Sequence, residues 1–160
     1  MEKRSQIVLS LLGAGEKLTI EALDAEIKIV DAQETFNSYL DPDFENLDLD
    51  KDGLATTEIS VDVVGIKESA KFCHIFNFIT PYRYEAALTP KQIITFCKKH
   101  QAWLNQDGPT LFLTVKKNEY FVAVVYQFSY GLEFHLLPYK YRNAFDAKFH
   151  PRLVFRKLNK

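Results

Sequence analysis

From residue 89 onward, apolar and polar positions alternate in the clearest pattern of the chain. Residues 89–105 carry apolar side chains at helical spacing, with Thr89 as the N-cap, and predict an amphipathic helix. Three apolar segments then follow, separated by short polar turns, at residues 110–116, 120–128 and 132–137. They predict an antiparallel meander. The middle segment is apolar on both faces, so we expect a central strand covered on both sides, with the helix on one of them.

The first half of the chain has shorter patterns. Apolar residues at helical spacing predict three short helices, within residues 4–12, 19–27 and 32–40, the last ending before an Asp-Pro pair. Residues 59–63 alternate with period two and predict a strand. The run FCHIFNFI at 72–79 is expected to be another strand.

These elements together predict an α+β fold. The N-terminal portion, residues 1–66, is expected to be mainly helical with one hairpin. Residues 67–160 are expected to form an antiparallel β-meander with one packed amphipathic helix, 89–105. A chain of 160 residues is near the usual size of one domain, so we expect the two portions to form one compact unit.

Composition narrows the class of protein. With 47% hydrophobic and 14% aromatic residues, the chain has enough apolar area to form a core and is not disordered. The two cysteines, Cys73 and Cys97, form no CxxC pair, and we expect reduced thiols and a cytoplasmic location. No apolar run approaches the ~20 residues of a membrane span, so we expect no membrane association.

Charge is distributed unevenly along the chain. Residues 1–53 hold thirteen acidic and five basic residues, a net charge of -8, whereas the whole chain has a net charge of -1. The remaining residues must therefore carry +7. Such a distribution indicates either two oppositely charged faces that attract each other within the molecule, or an acidic and a basic face for different partners.

The first function that we infer is that of a non-enzymatic binding protein. Its acidic N-terminal face would contact a basic protein partner, because complementary charge favours association. The carboxylates expected to make this contact are Glu21, Asp24, Asp31, Glu34, Asp48 and Asp50.

The stretch NLDLDKDGLATTEI, residues 46–59, has two interpretations. It fits part of an EF-hand-like calcium loop, with oxygen ligands expected from Asp48, Asp50, Asp52 and Thr56. However, the position that needs a bidentate acid is Ile59, and the flanks are not helical in pattern. A β-hairpin with Asp52-Gly53 at its tip explains more of the sequence, and we favour it.

The segment 4–40 resembles a winged helix-turn-helix module, with residues 48–63 as its wing. The resemblance implies DNA binding through the third helix. That helix offers Asp31, Gln33 and Glu34 and no basic residue, whereas contact with phosphates requires lysine or arginine. We therefore expect such a module to hold a protein partner.

The C-terminal segment 139–160 supplies the second function. This segment holds seven basic residues, and basic grooves with stacking aromatics bind single-stranded nucleic acid. The aromatic residues among them are Tyr139, Tyr141, Phe145, Phe149 and Phe155. Five of the basic residues are the candidates. These candidate contacts are Lys140, Arg142, Lys148, Arg152 and Arg156. The alternative, which we favour, is a segment that buries its aromatics and leaves its bases in solvent or against the acidic N-terminal half.

A cysteine- or metal-dependent enzyme is the third and weakest reading. The residues that would have to converge are Cys73, His74, Cys97, His100 and His135. Their spacing matches no zinc or nucleophile motif, and Cys97 and His100 lie on the apolar face of the predicted helix. We therefore expect no cofactor and no catalytic residue.

Overall fold

The structure, a computed structural model, describes residues 9–12, 17–51, 54–142 and 144–158. Its strands are β1 Leu9–Leu11, β2 Leu18–Ile20, β3 Tyr39–Leu40, β4 Ile59–Ile66, β5 Pro109–Lys116, β6 Glu119–Phe128, β7 Gly131–Pro138 and β8 Arg152–Arg156. Its helices are α1 Ile29–Thr35, α2 Asp43–Asn46, α3 Phe72–Ile79, α4 Arg83–Ala86 and α5 Pro90–Lys99, with single 3₁₀ turns at Gln101–Trp103 and Ala147–Phe149. Helices and strands alternate unevenly along the chain, as in α+β proteins.

The described strands form one eight-stranded mixed sheet in the order β1-β4-β8-β5-β6-β7-β3, with β2 also paired to β4. The pairs β5–β8 and β3–β7 are parallel, and the others are antiparallel. The last strand, β8, lies between β4 and β5, so the C-terminal segment is in the middle of the sheet. The sheet therefore joins the two portions that the sequence separates at residue 66.

One side of the sheet, which we call the α5 face, is covered by α1 and α5. Phe112 on β5 and Val154 on β8 belong to the same buried cluster as Phe96 of α5. The rings of Phe96 and Phe112 meet edge to face, with centroids 5.7 Å apart. Helix α5 begins with a capping box in which Thr89 and Gln92 bond reciprocally.

The opposite side, which we call the α3 face, is covered by α3 and α4. Leu111 and Val122 of the central strands share a second buried cluster with Phe72 and Phe76 of α3. Because neighbouring residues on a strand point to opposite faces, β5 and β6 supply side chains to both clusters.

The predictions for the second half are largely confirmed. The meander is present, with β5–β6 and β6–β7 antiparallel, and the middle strand is central and covered on both faces. The predicted helix 89–105 is shorter, since α5 ends at Lys99 and a 3₁₀ turn follows. The predicted strand 59–63 is confirmed as part of β4.

The predicted strand at 72–79 is wrong, because this segment is helix α3. Its four apolar residues Phe72, Ile75, Phe76 and Ile79 have the spacing of one helix face. All four lie in or against the cluster on the α3 face. A short apolar run fits both periods, and here burial of that helical stripe decides the outcome.

The prediction of a mainly helical N-terminal portion is also wrong. Strand β1 takes the place of the first predicted helix in the described residues, where Leu9 pairs with Ile66 of β4. The second predicted helix begins in strand β2, where Thr19 pairs with Ser60 of β4, and its residues 21–27 form no helix. Only α1 remains of the third, and its expected end is β3. The resemblance to a winged helix-turn-helix is therefore not supported. These short segments gain more from pairing with β4 than marginal helices gain alone.

The favoured hairpin at 46–59 is wrong in its first arm. Residues 43–46 form helix α2, which is terminated by Asp48, a residue with a left-handed backbone (φ 57°). The amide of Asp48 bonds to the carbonyl of Glu45 and the amide of Leu49 to the carbonyl of Phe44, as in a Schellman motif. The proposed tip, Asp52-Gly53, lies outside the described residues. No helix in the described part of the chain has the length and apolar character to cross a membrane.

Candidate binding groove

A groove of about 680 Å³ lies on the α3 face, over the second half of β6 and the second half of β7. Its size is within the range of ~300–1,000 Å³ usual for ligand sites. Strands β6 and β7 form the floor, and two loops form the walls. The lining residues that carry the argument are Asp107, Tyr126, Phe128, His135, Asp146 and Phe149. We call this feature the aromatic groove.

The floor is a row of aromatic rings along β6. Tyr126 and Phe128 point to the same side of the strand and stack nearly parallel, with centroids 6.1 Å apart and 13° between planes. Tyr130, in the turn after β6, stacks on Phe128 at 5.2 Å and 6°, but it lines a neighbouring polar cleft and not this groove. Phe128 is 41% exposed and Tyr130 is 66% exposed. Rigid, exposed rings of this kind are typical anchor points for ligands.

His135 on β7 extends the row of rings across the sheet. Its ring stacks on Tyr39 at 4.8 Å and meets Tyr126 edge to face at 5.6 Å. Its Nε2 lies 3.0 Å from a carboxylate oxygen of Glu133. Tyr39 is on β3, the edge strand that pairs with β7. The position of the His135 ring therefore depends on β3.

Asn105 links the two loops that form the walls of the groove. Its buried side-chain amide donates to the carbonyls of Phe149 at 3.0 Å and His150 at 2.6 Å, and its Oδ1 accepts from the amide of Asp107. A buried amide that is satisfied in this way fixes both loops to each other. At Gly108 the loops touch so closely that an added Cβ would overlap the carbonyl oxygen of Phe149.

The charge of the groove is negative. The charged residues among its described lining are Asp107 and Asp146, both exposed, and no lysine or arginine is among them. Burial raises the pKa of Tyr126, and the Glu133 carboxylate raises it further. The tyrosine therefore stays neutral to higher pH than usual, and the carboxylates set the sign of the groove.

The acidic residues that the sequence singled out lie elsewhere. Three of them pair with lysines of α5, namely Glu21 with Lys99, Asp24 with Lys91, and Asp31 with Lys98 at 3.8 Å. The Lys91 ammonium lowers the pKa of Asp24. The uneven charge has two interpretations, attraction within the molecule or separate faces for different partners. These three pairs match the first.

The other three acidic candidates are scattered. Glu34 lines a more polar cleft of about 500 Å³ beside the β6–β7 turn. Asp48 pairs with Lys51 at 3.4 Å. Asp50 is half-buried, and its Oδ1 has no hydrogen-bond partner among the described residues. The six carboxylates therefore do not form one continuous acidic face within the described residues.

The same region was the candidate calcium loop. Thr56 Oγ1, like Asp50 Oδ1, is buried without a hydrogen-bond partner in the described part of the chain. Asp48 instead starts a turn and pairs with Lys51, and Asp52 is outside the described residues. Within the described ranges, no three His, Cys, Asp or Glu residues are grouped as metal ligands.

The basic residues of the C-terminal segment are divided between two places. Lys140, Arg142 and Lys148 are exposed in the loop that forms the far wall of the groove. Arg152 and Arg156 are half-buried on β8, and Arg152 donates to the carbonyl of Trp103 at 2.9 Å. The favoured alternative expects buried aromatics and solvated bases. Tyr139 and Phe155 are buried, but Phe149 is 49% exposed, so the structure matches that alternative only in part.

The cysteines and histidines do not converge. Cys73 and His74 are on α3, whereas Cys97 is on α5 and His100 directly follows that helix, at the opposite face of the sheet. Burial raises the pKa of the Cys97 thiol, which disfavours the thiolate that a nucleophile requires. His100 Nε2 lies 2.9 Å from the carbonyl oxygen of Thr19, a structural contact.

Sequence reasoning found only one wall of the groove. Tyr141, Phe145 and Phe149 stood out because they lie among basic residues. For the floor residues on β6 and β7, the sequence pattern predicts only the interior of a meander. A local signal for this region is the run FSYG, residues 128–131, which places two aromatics beside the turn after a predicted strand. No family model, curated protein or solved structure matches this chain.

Proposed function

We propose that this protein is a non-enzymatic binding protein that holds a basic segment of a protein partner in the aromatic groove. The observation that carries the proposal is the composition of the groove. Five aromatic side chains and His135 surround a space whose charged lining, in the described residues, is Asp107 and Asp146. Aromatic faces attract cations, and carboxylates add to that attraction.

The shape of the groove supports a peptide segment as the ligand. It is partly open to solvent and mostly apolar, and two of its lining rings are exposed, Phe128 at 41% and Phe149 at 49%. Aromatic residues dominate the energetics of protein interfaces because they bury large areas at little cost in side-chain entropy. A chain that crosses the groove would cover both rings.

The acidic face predicted from the sequence is a weaker place for the same partner. Glu21, Asp24 and Asp31 already have lysine counterions in the molecule, and a partner would have to replace them. Asp107 of the groove has no lysine or arginine beside it in the described lining. Its charge is therefore available to a ligand.

Single-stranded nucleic acid is the second candidate. The exposed rings of Phe128 and Tyr130 are nearly parallel, 5.2 Å apart, and nucleic-acid bases can stack on them. Lys140 and Arg142 are exposed on either side of Tyr141, which lines the groove. Phosphates would, however, approach the Asp107 and Asp146 carboxylates. We expect an unstructured oligothymidine to bind the protein weakly at low salt. Tight binding that falls steeply with salt would favour nucleic acid over peptide.

Titration calorimetry with a lysine-rich octapeptide tests the peptide proposal. Phe128→Ala and Phe149→Ala should each weaken binding about fivefold or more, since truncating a central aromatic anchor costs more than ~1 kcal/mol. The matched control is Phe78→Ala, a ring on α3 that is outside the groove and 59% exposed, more than either groove ring, and it should leave affinity unchanged. A glutamate-rich octapeptide should not bind.

The proposal is wrong if the lysine-rich peptide fails to bind the wild type. It is also wrong if the two groove variants and the Phe78 variant bind the peptide equally well, because the rings of the groove would then make no contribution.

A further inference from the structure

The rim of the aromatic groove already holds a cation that belongs to the chain itself. The ammonium of Lys148 lies 3.7 Å from a carboxylate oxygen of Asp146 and 5.0 Å from the centre of the Phe149 ring. Asp146 and Phe149 both line the groove, whereas Lys148 does not. The rim therefore combines the two groups that recognise ammonium ions, a carboxylate and an aromatic face.

We infer that Asp146 and Phe149 form an ammonium subsite, which Lys148 occupies in the free protein and which a lysine side chain of the bound segment takes over. This inference rests on the proposed function, since it names the group that the groove recognises. The ligand chemistry is a primary alkylammonium, because that is the group that the geometry already accommodates. Lys148 is then a competitor of the ligand within the same molecule.

The contacts of Lys148 are weak enough to be exchanged. Its side chain is 69% exposed and that of Asp146 is 50% exposed, so solvent screens the ion pair. A second cation in the structure is held differently. The guanidinium of Arg83 lies over two rings, 4.6 Å from Tyr139 and 5.3 Å from Tyr120. Arg83 is packed against two aromatic faces, whereas Lys148 has one ring and one screened carboxylate.

A ligand lysine has an advantage that Lys148 lacks. The peptide that carries it also covers Phe128 and the remaining floor of the groove, and Asp107 adds attraction from the lining. The exchange replaces one ammonium at the subsite with another, so the local charge balance does not change. What the complex gains is the apolar contact along the groove and the release of Lys148 to solvent.

The test is calorimetric titration of the full chain with the lysine-rich octapeptide. Lys148→Ala should bind about threefold or more tighter than the wild type, because the competitor is gone, and the gain should shrink at high salt. Asp146→Asn should bind more weakly. Asparagine can still accept the hydrogen bond from the Lys148 amide that caps the 3₁₀ turn, so this variant removes the charge and keeps the turn.

Lys140→Ala is the matched control. It removes one exposed positive charge from the same loop without touching the subsite, and it measures the general effect of net charge. A gain in affinity for Lys148→Ala that exceeds the gain for Lys140→Ala supports the subsite.

Equal gains, or weaker binding by Lys148→Ala, overturn the subsite. If Phe128→Ala still weakens binding in that case, the groove remains the binding surface and only the ammonium subsite is lost. If Phe128→Ala has no effect, the groove itself is excluded, and the two failures are thereby distinguished.

Discussion

The α5 face and the α3 face of the sheet use similar apolar side chains, but they are closed in different ways. On the α5 face, two helices pack over Phe112, and three lysines of α5 neutralise Glu21, Asp24 and Asp31 at its margin. On the α3 face, helices cover Leu111 and Val122, whereas the second halves of β6 and β7 remain partly open between loops.

We assign stability to the closed α5 face and ligand recognition to the open part of the α3 face. On the closed face, aromatic rings such as Phe96 and Phe112 are buried, and the carboxylates pair with lysines of the same molecule. The open face leaves rings partly in solvent and, at Asp107, a carboxylate without a lysine or arginine in the described lining. Exposed aromatic surface costs free energy that a ligand recovers when it covers that surface. This is why we place the binding surface there.

The largest expected effect is on the free energy of unfolding, when one phenylalanine from each face is replaced by alanine. Phe96 of α5 is fully buried, so Phe96→Ala should lower the free energy of unfolding by ~3–5 kcal/mol through lost contacts and the cavity that remains. Phe128→Ala, in the open part of the α3 face, should lower it by less than ~1 kcal/mol. Urea unfolding of both variants measures the two values. Similar losses would show that the open part is as much a part of the core as the α5 face.

A smaller effect concerns charge at the margin of the α5 face. The pKa of Asp24 is lowered by Lys91, so the folded state binds its proton less readily than the unfolded state. The pair therefore stabilises the fold above the ordinary value of 3.8, and this stability is lost as pH falls through the folded-state pKa. Asp24→Asn should slightly flatten the acid side of a plot of melting temperature against pH.

Because Asp24 is exposed, this change should be small and should disappear in 1 M salt. Glu68→Gln, another exposed acid, serves as the control. If both variants change the melting temperature at acid pH equally, the Asp24–Lys91 pair does not stabilise the α5 face more than any other exposed acid does.

How far the sequence predicts this fold depends on how local the deciding interactions are. The helix at 90–99 has its own capping box, and the meander has short turns, so both could be predicted from neighbouring residues. Strands β1 and β2 are short and exist because β4, about forty residues or more away, offers them a partner. No local pattern in the sequence contains that information.

The same reasoning applies to the groove. Tyr141, Phe145 and Phe149 could be selected from composition alone. Their position opposite Tyr126 depends on Asn105, which bonds to carbonyls more than forty residues away. The pairing of acidic N-terminal residues with α5 was predicted only as one of two alternatives, since net charge along the chain does not reveal which charges meet in space.

The most direct test of the account is amide chemical-shift mapping of the protein with the lysine-rich octapeptide. We predict that the largest shifts fall on Phe128, His135 and Phe149, with Asp107 and Asp146 among the perturbed amides. Shifts concentrated instead at Glu21, Asp24 and Asp31 would place the partner on the predicted acidic face and contradict the aromatic groove as the binding surface.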